Sequence, residues 1–183
     1  MEKLEDEELP VWYAMRATYN RGMDAKDFLS EEKVECFIPM HYELVDAKNG
    51  RKKRVSVPVI KNLIFAKATS SRIKEVKAKV PYLQYIIGVD EEGRKPIIVP
   101  DAQMEAFIAV ADTLDDRLTY LTSEEINLSD GVKVRIHGGF FDGREGVFKR
   151  IAGKRNRRMV IAIPGVIAVA IVITDFSYIE KLG

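Results

Sequence analysis

The chain has one cysteine, almost no net charge and no apolar run long enough to cross a bilayer. The single Cys36 excludes an internal disulfide and leaves no CxxC pair for zinc. It stands in an apolar alternation, as a buried structural thiol does. Lys and Arg (29) balance Asp and Glu (28), so the net charge of +1 does not by itself announce a nucleic-acid binder. The only histidines, His41 and His137, stand apart, and no Ser, Asp or Cys has a legible partner arrangement. No enzyme, metal or cofactor is therefore expected. The most apolar stretch, Met159 to Ile173, is about 15 residues long and is broken by Pro164-Gly165, short of the ~20 a spanning helix needs. The first residues carry Glu2, Glu5, Asp6, Glu7 and Glu8 without an apolar run, so no signal peptide is read. A cytoplasmic monomer with no membrane partner is expected.

What is present is patterned. The chain is 46% hydrophobic and 31% charged, enough apolar material for one or two small cores. After the acidic tail (1–10), strands are expected at Val11–Ala17, Val34–Met40, Asn62–Ala68 and Leu83–Val89. Helices are expected at Asp24–Lys33, with Ala25, Phe28 and Leu29 inward, and at Ser71–Lys79, stopped by Pro81. A third helix, capped by Asp101, carries the stripe Met104, Phe107, Ile108, Ala111 and Leu114. Asn49-Gly50 signals a hairpin leading into Arg51-Lys52-Lys53-Arg54. The order predicts an α+β domain over 11–114, with helices on a mostly antiparallel sheet. Residues 115–129 lose their period and read as a linker. Short strands at 132–136, 145–150, 158–163, 166–173 and 176–179 then predict an all-β, SH3-like barrel over 130–183.

Inside that barrel, Gly139, Gly143 and Gly146 surround Phe141 just after Val134-Arg135-Ile136. Glycines so spaced allow positive φ or close backbone approach at a strand–turn–strand corner. The pattern resembles the KOW motif of ribosomal proteins and transcription elongation factors. No helix pattern follows Gly146, which sets it apart from Rossmann and Walker loops. Trp12-Tyr13, Val34 to Met40, Pro58 to Phe65, Val80-Pro81-Tyr82-Leu83, Pro96 to Asp101 with Met104, Glu105 and Phe107, and Asp175 to Lys181 extend the likeness. In that order they resemble the NusG family of transcription elongation and antitermination factors, and within it the specialised UpxY and RfaH-like paralogues.

The resemblance implies an NGN domain followed by a KOW barrel. It implies an antitermination or elongation factor that grips the coiled-coil clamp of RNA polymerase through Ile60, Leu63 and Phe65, where some apolar area would be uncovered. All three are also readable as ordinary core, and for Phe65 core and interface stand level, because alternation does not say which face is covered. It implies suppressed pausing or early termination, with service to a surface (capsular) polysaccharide operon. Asn20, Arg21 and Lys26 would face a displaced strand. Arg51, Lys52, Lys53 and Arg54 suit upstream or non-template DNA, since phosphate contacts need only charge, although charge runs are commonly solvated hairpin tips. Lys154 to Arg158 is open to the same two readings, with RNA or a ribosomal surface as the partner and solvation favoured.

The KOW partner tip is Ile163-Pro164-Gly165, where the housekeeping factor carries Ile-Phe-Gly. Binding of ribosomal protein S10 or Rho is therefore not expected. Two rival functions stand beside this one: a housekeeping NusG coupled to Rho or the ribosome, and a KOW-type RNA- or ribosome-binding module.

Overall fold

A computed structural model of the chain describes residues 8–126, 128–129, 131–138, 141–151, 153–172 and 179–183. The chain divides into two compact units, Met1–Ile38 with Ile60–Asp101 and Pro39–Val59 with Ala102–Gly183.

The first unit is built on β1 (Val11–Ala17), whose apolar content suits a strand buried on both faces. After α1 (Gly22–Glu31) and β2 (Glu35–Phe37), the ladder continues with β5 (Leu63–Ala68), so that β5 lies between β1 and β2. Register places Leu63, Phe65 and Lys67 opposite Arg16, Ala14 and Trp12 on one face, and Ile64, Ala66 and Ala68 opposite Met15, Tyr13 and Val11 on the other. Both faces are covered: Trp12, Met15, Ile64 and Phe65 are all buried. The helix α1 packs on β1, β2 and β5, burying Ala25 and Leu29. It is tied to α2 (Ser70–Lys79) by Arg72, whose guanidinium donates to the Glu32 carbonyl and carboxylate at 2.9 Å. Thr69 caps α2 by accepting from Arg72 N at 3.2 Å, and Pro81 follows its end.

The strand expected at Leu83–Val89 is two strands. β6 (Leu83–Tyr85) pairs β1 at Met15–Ala17, and the chain then leaves the sheet as a ribbon, β7 (Ile87–Asp90) with β8 (Gly93–Pro96). It returns as β9 (Ile98–Val99), pairing Trp12 and Tyr13. Ala14 marks the exit: its carbonyl accepts from Ile86 N and its N–H donates to Ile97 O, both at 3.0 Å. The excursion was illegible because Ile86 and Ile87 keep the apolar character of a continuing strand. Asp101, first residue of α3 (Asp101–Ala111), forms a 3.1 Å ion pair with Lys67.

In the second unit, β3 (Met40–Asp46) and β4 (Lys52–Pro58) form an antiparallel ribbon, from Met40 opposite Pro58 to Asp46 opposite Lys52. Ile38 and Pro39 separate it from β2, so the run expected as one strand over Val34–Met40 feeds two sheets. Gly50 takes φ +74° at the turn, as the Asn-Gly signal requires. α3 buries Met104, Ala106, Phe107, Val110 and Ala111, a wider stripe than the one read from periodicity; Ile108 and Leu114 are half-buried.

The main sheet runs β10 (Thr119–Thr122), β14 (Ile167–Ile171), β13 (Arg157–Ile163), β12 (Glu145–Arg150), β11 (Val132–Ile136), β15 (Ile179–Lys181), antiparallel throughout. β10 lies inside the stretch read as linker. Its Leu121 pairs Ala168 and joins a core of Ile151, Val160, Ala162, Ala168 and Ala170, against which Ile126 and Leu128 pack. Thr119 to Thr122 thus become a strand because β14 offers an edge to pair with and Leu121 fills the core. The strand expected at 176–179 falls partly on 173–178, outside the described residues.

Candidate functional site

In the first unit the segment after β1 turns sharply. Tyr19 and Asn20 both take the left-handed conformation, with φ +58° and +57°. Two consecutive non-glycine residues in that region cost strain, and the surrounding contacts hold them there. The Thr18 N–H donates to Tyr82 O at 2.9 Å, and Gly22 N donates to Lys61 O at 3.2 Å. A Cβ on Gly22 would stand 2.6 Å from that same oxygen, so only glycine lets α1 start against the Ile60-Lys61 turn.

The result is one surface. Tyr19 is 91% exposed, Asn20 and Lys61 are exposed, and Ile60 is half-buried. The Arg21 guanidinium stacks 3.9 Å over the Tyr82 ring and also pairs with Asp24 at 2.9 Å. The turn carrying Ile60 and the loop carrying Asn20 and Arg21 were read separately in the sequence, and the fold brings them together. Tyr19 and Tyr82 were missed. Tyr19 has a chemical rather than periodic signal, an aromatic ring next to Asn20 and Arg21, whereas Tyr82 joins them only through the fold. Lys26 lies further along α1, half-buried, its carbonyl accepting from Ser30 Oγ at 2.8 Å.

Leu63 and Phe65 call for a correction. The resemblance places Leu63 at the interface and leaves Phe65 between interface and core, yet Leu63 is 3% and Phe65 0% exposed, so both are core. The reason is topological: β5 has a strand on each side and cover on both faces, so alternation along it selects between two buried environments. Of the three, Ile60 alone reaches the surface.

The basic run of the second unit lies on the exposed ribbon. Arg51, Lys52, Lys53 and Arg54 are all exposed, with Arg51 in the turn and the other three on β4. Arg54 stacks 3.9 Å over the Tyr42 ring and pairs with Asp116 at 2.8 Å. Asp116 is neighbour to Asp115, whose carboxyl is held at about 2 by hydrogen bonds from Arg117. Tyr120, largely buried, has its hydroxyl pushed up to about 12 by desolvation, with Asp112 adding to the effect.

In the KOW-like segment, Gly143 takes φ +73°, and a Cβ on Gly146 would meet Val160 O at 2.8 Å and Met159 Cγ at 2.9 Å. These are the two roles expected of such glycines, one at each position. Gly139 lies outside the described residues, and Phe141 is half-buried. At the partner tip Ile163 is 1% exposed and belongs to the core, a second correction. Pro164 and Gly165 alone present the turn, closed by Val166 N to Ile163 O at 3.0 Å with Gly165 at φ +74°. No cluster of metal-ligating side chains and no helix long and apolar enough to cross a membrane occurs among the described residues.

Residues 10–108 match the family model described as transcription termination factor NusG. That span exceeds half of the 183 residues, and the chain belongs to the NusG family. Membership places it among transcription elongation and termination factors, which work by binding rather than catalysis. Its fold is mixed α+β, a helix-flanked sheet followed by further β-rich sheets, an arrangement consistent with NGN plus KOW. Among solved structures the chain is similar to one titled "Domain interaction in Thermotoga maritima NusG", at 20% identity and TM-score 0.45, covering 95% of this chain and 98% of that one. None of the curated proteins matches the chain.

Proposed function

We propose that this chain is a specialised NusG-type antitermination factor, whose NGN domain binds the RNA polymerase clamp and suppresses pausing or early termination. The domains would be those read from the sequence, 11–114 for NGN and 130–183 for KOW, with the stretch 115–129 between them supplying β10 to the β14 edge. The observation that carries the reading is the shared surface of Tyr19, Asn20, Arg21, Ile60, Lys61 and Tyr82. It combines an apolar side chain for a protein partner with the exposed Tyr19 ring and the Arg21-stacked Tyr82 ring, aromatic surface suited to an unpaired base. In this reading Ile60 touches the clamp. Leu63 and Phe65 act from beneath, fixing β5 and hence the turn that presents Ile60. The exposed cations of the β3–β4 ribbon suit upstream or non-template DNA.

Service to a surface-polysaccharide operon belongs to the same proposal and rests on the UpxY-like motifs. The partner tip favours it over the Rho-coupled housekeeping reading, because Pro164 presents no aromatic ring. The test is in vitro transcription through a pause site. Read-through rising with the protein, and falling with Ile60→Glu, supports the reading. Unchanged read-through together with no polymerase binding removes it.

A further inference from the structure

We propose that the β12–β13 end of the KOW barrel is a second nucleic-acid contact, which grips a phosphodiester backbone without reading bases. Residues 149–158 contain Lys149, Arg150, Lys154, Arg155, Arg157 and Arg158 and no acid. As a bare charge run this is compatible with a solvated tip. The ladder makes it more than that. Arg150 stands directly opposite Arg157, and Lys149 directly opposite Arg158. Directly opposed residues of an antiparallel pair project to the same side of the sheet, so each pair sets like charges against each other on one face.

The other side of β12 shows what the same barrel does when a ladder serves the fold alone. There Arg135 stands opposite Glu145, with which it pairs, and reaches Glu180 on β15 at 3.7 Å. Charges are complemented at one edge of β12 and opposed at the other. Arg150, Arg155 and Arg157 are exposed and have no ion pair among the described residues. Arg158 gives Nη1 to Arg117 O at 2.8 Å, while its buried Nε finds no partner among them. Lys154 lines a hollow shared with Asp115 and Asp116, so its outward field is partly offset. The arginines at 150, 155 and 157 therefore supply most of the contact.

An occupant must bring repeated negative charge along a line and need no apolar cover. A phosphate chain does both. The tip offers no helix to enter a major groove, and no aromatic residue lies within 149–158 to stack a base. Binding is therefore sequence-independent and strongly weakened by salt. Three cations on single strands give a slope of log K against log salt of about −2.

The experiment uses the full chain with Arg51, Lys52, Lys53 and Arg54 changed to Gln, which silences the other basic ribbon. Fluorescence anisotropy is read with a labelled RNA of about twelve nucleotides, the same DNA sequence single-stranded, and its duplex. In that background Arg150→Glu is expected to weaken binding about tenfold or more and to lower the salt slope by about 1, per the rule for a lost phosphate contact. Its thermal midpoint should hold or rise, because the opposed pair becomes complementary. Arg157→Glu makes the same exchange from the other strand and carries the test if the first variant melts early. A preference for RNA assigns the transcript, which the 2′-hydroxyl distinguishes; a preference for duplex assigns DNA. Absent binding in the parent, or binding that neither charge reversal changes, overturns the proposal.

Discussion

β4 and β5 are neighbours in the chain and similar in length, and they behave as opposites. β5 lies between two strands, and only Lys67 among its six residues escapes burial. β4 has one partner and not one buried residue. The family resemblance points at both strands as places of contact, yet the two differ in what a substitution there will report. In β5 a side chain is part of the support, so its loss is felt as instability. In β4 it is part of the surface, so its loss is felt only by a partner.

The largest effect expected from this contrast is at Phe65. Phe65→Ala should cost about 3–5 kcal/mol of stability, and Leu63→Ala about 2–5 kcal/mol, as buried truncations that leave cavities do. Urea denaturation measures both. Loss of polymerase binding without loss of stability would break the comparison, because it would make these residues contacts rather than supports.

Next comes the ribbon. Changing Arg51, Lys52, Lys53 and Arg54 together to Gln should change stability by no more than about 1 kcal/mol, while the salt slope of DNA binding falls by about 3–4. The Arg54–Asp116 pair offsets little of this, since both partners are half or more exposed and such pairs are worth about 0–1 kcal/mol. A collapse in melting temperature would show that β4 is support after all.

Ile60 sharpens the contrast because it sits at the entrance to β5 and is half-buried. Ile60→Ala should cost less than Leu63→Ala in denaturation, yet reduce clamp affinity more than it reduces stability. Titration of polymerase with each variant under native conditions compares the two.

The smallest effect concerns pH. Glu32 accepts from Lys79 and then Arg72, which holds its carboxyl below the ordinary 4.5. A depressed carboxylate contributes stability above its unfolded value and loses it as pH falls through the folded one. The difference in melting temperature between the chain and Glu32→Gln should therefore be present near neutrality and close as acidification goes below the ordinary 4.5. A gap that widens in acid would reverse the sign and break the assignment.

Much of the architecture was legible from residues alone. β1, β11 and β12 fall at the limits that alternation drew, because their ends coincide with turn residues. α2 lies within one residue of its expected start, and the Asn49-Gly50 turn joins β3 to β4 as its dihedral preference demands. Legibility failed where a strand changes partner without changing composition. Leu83 to Val89 continues as an apolar run while the backbone leaves the sheet at Ile86, and Thr119 to Thr122 looks like linker until β14 supplies its ladder.

The candidate surfaces divide in the same way. The sequence alone determined that the chain carries basic runs at 51–54 and 154–158, and that glycines stand at 143 and 146, where the backbone needs positive φ and close approach. Period-two alternation can say that Leu63 and Phe65 share a face, but not whether that face is covered, because cover comes from elements distant in sequence. Tertiary packing decided that those two residues are core and that the Ile60-Lys61 turn meets the chain at Gly22, next to Asn20 and Arg21. It also decided that the arginines at 150 and 157 confront each other. Burial and opposition are properties of neighbours across space, and a linear pattern holds no information on which strand will arrive alongside.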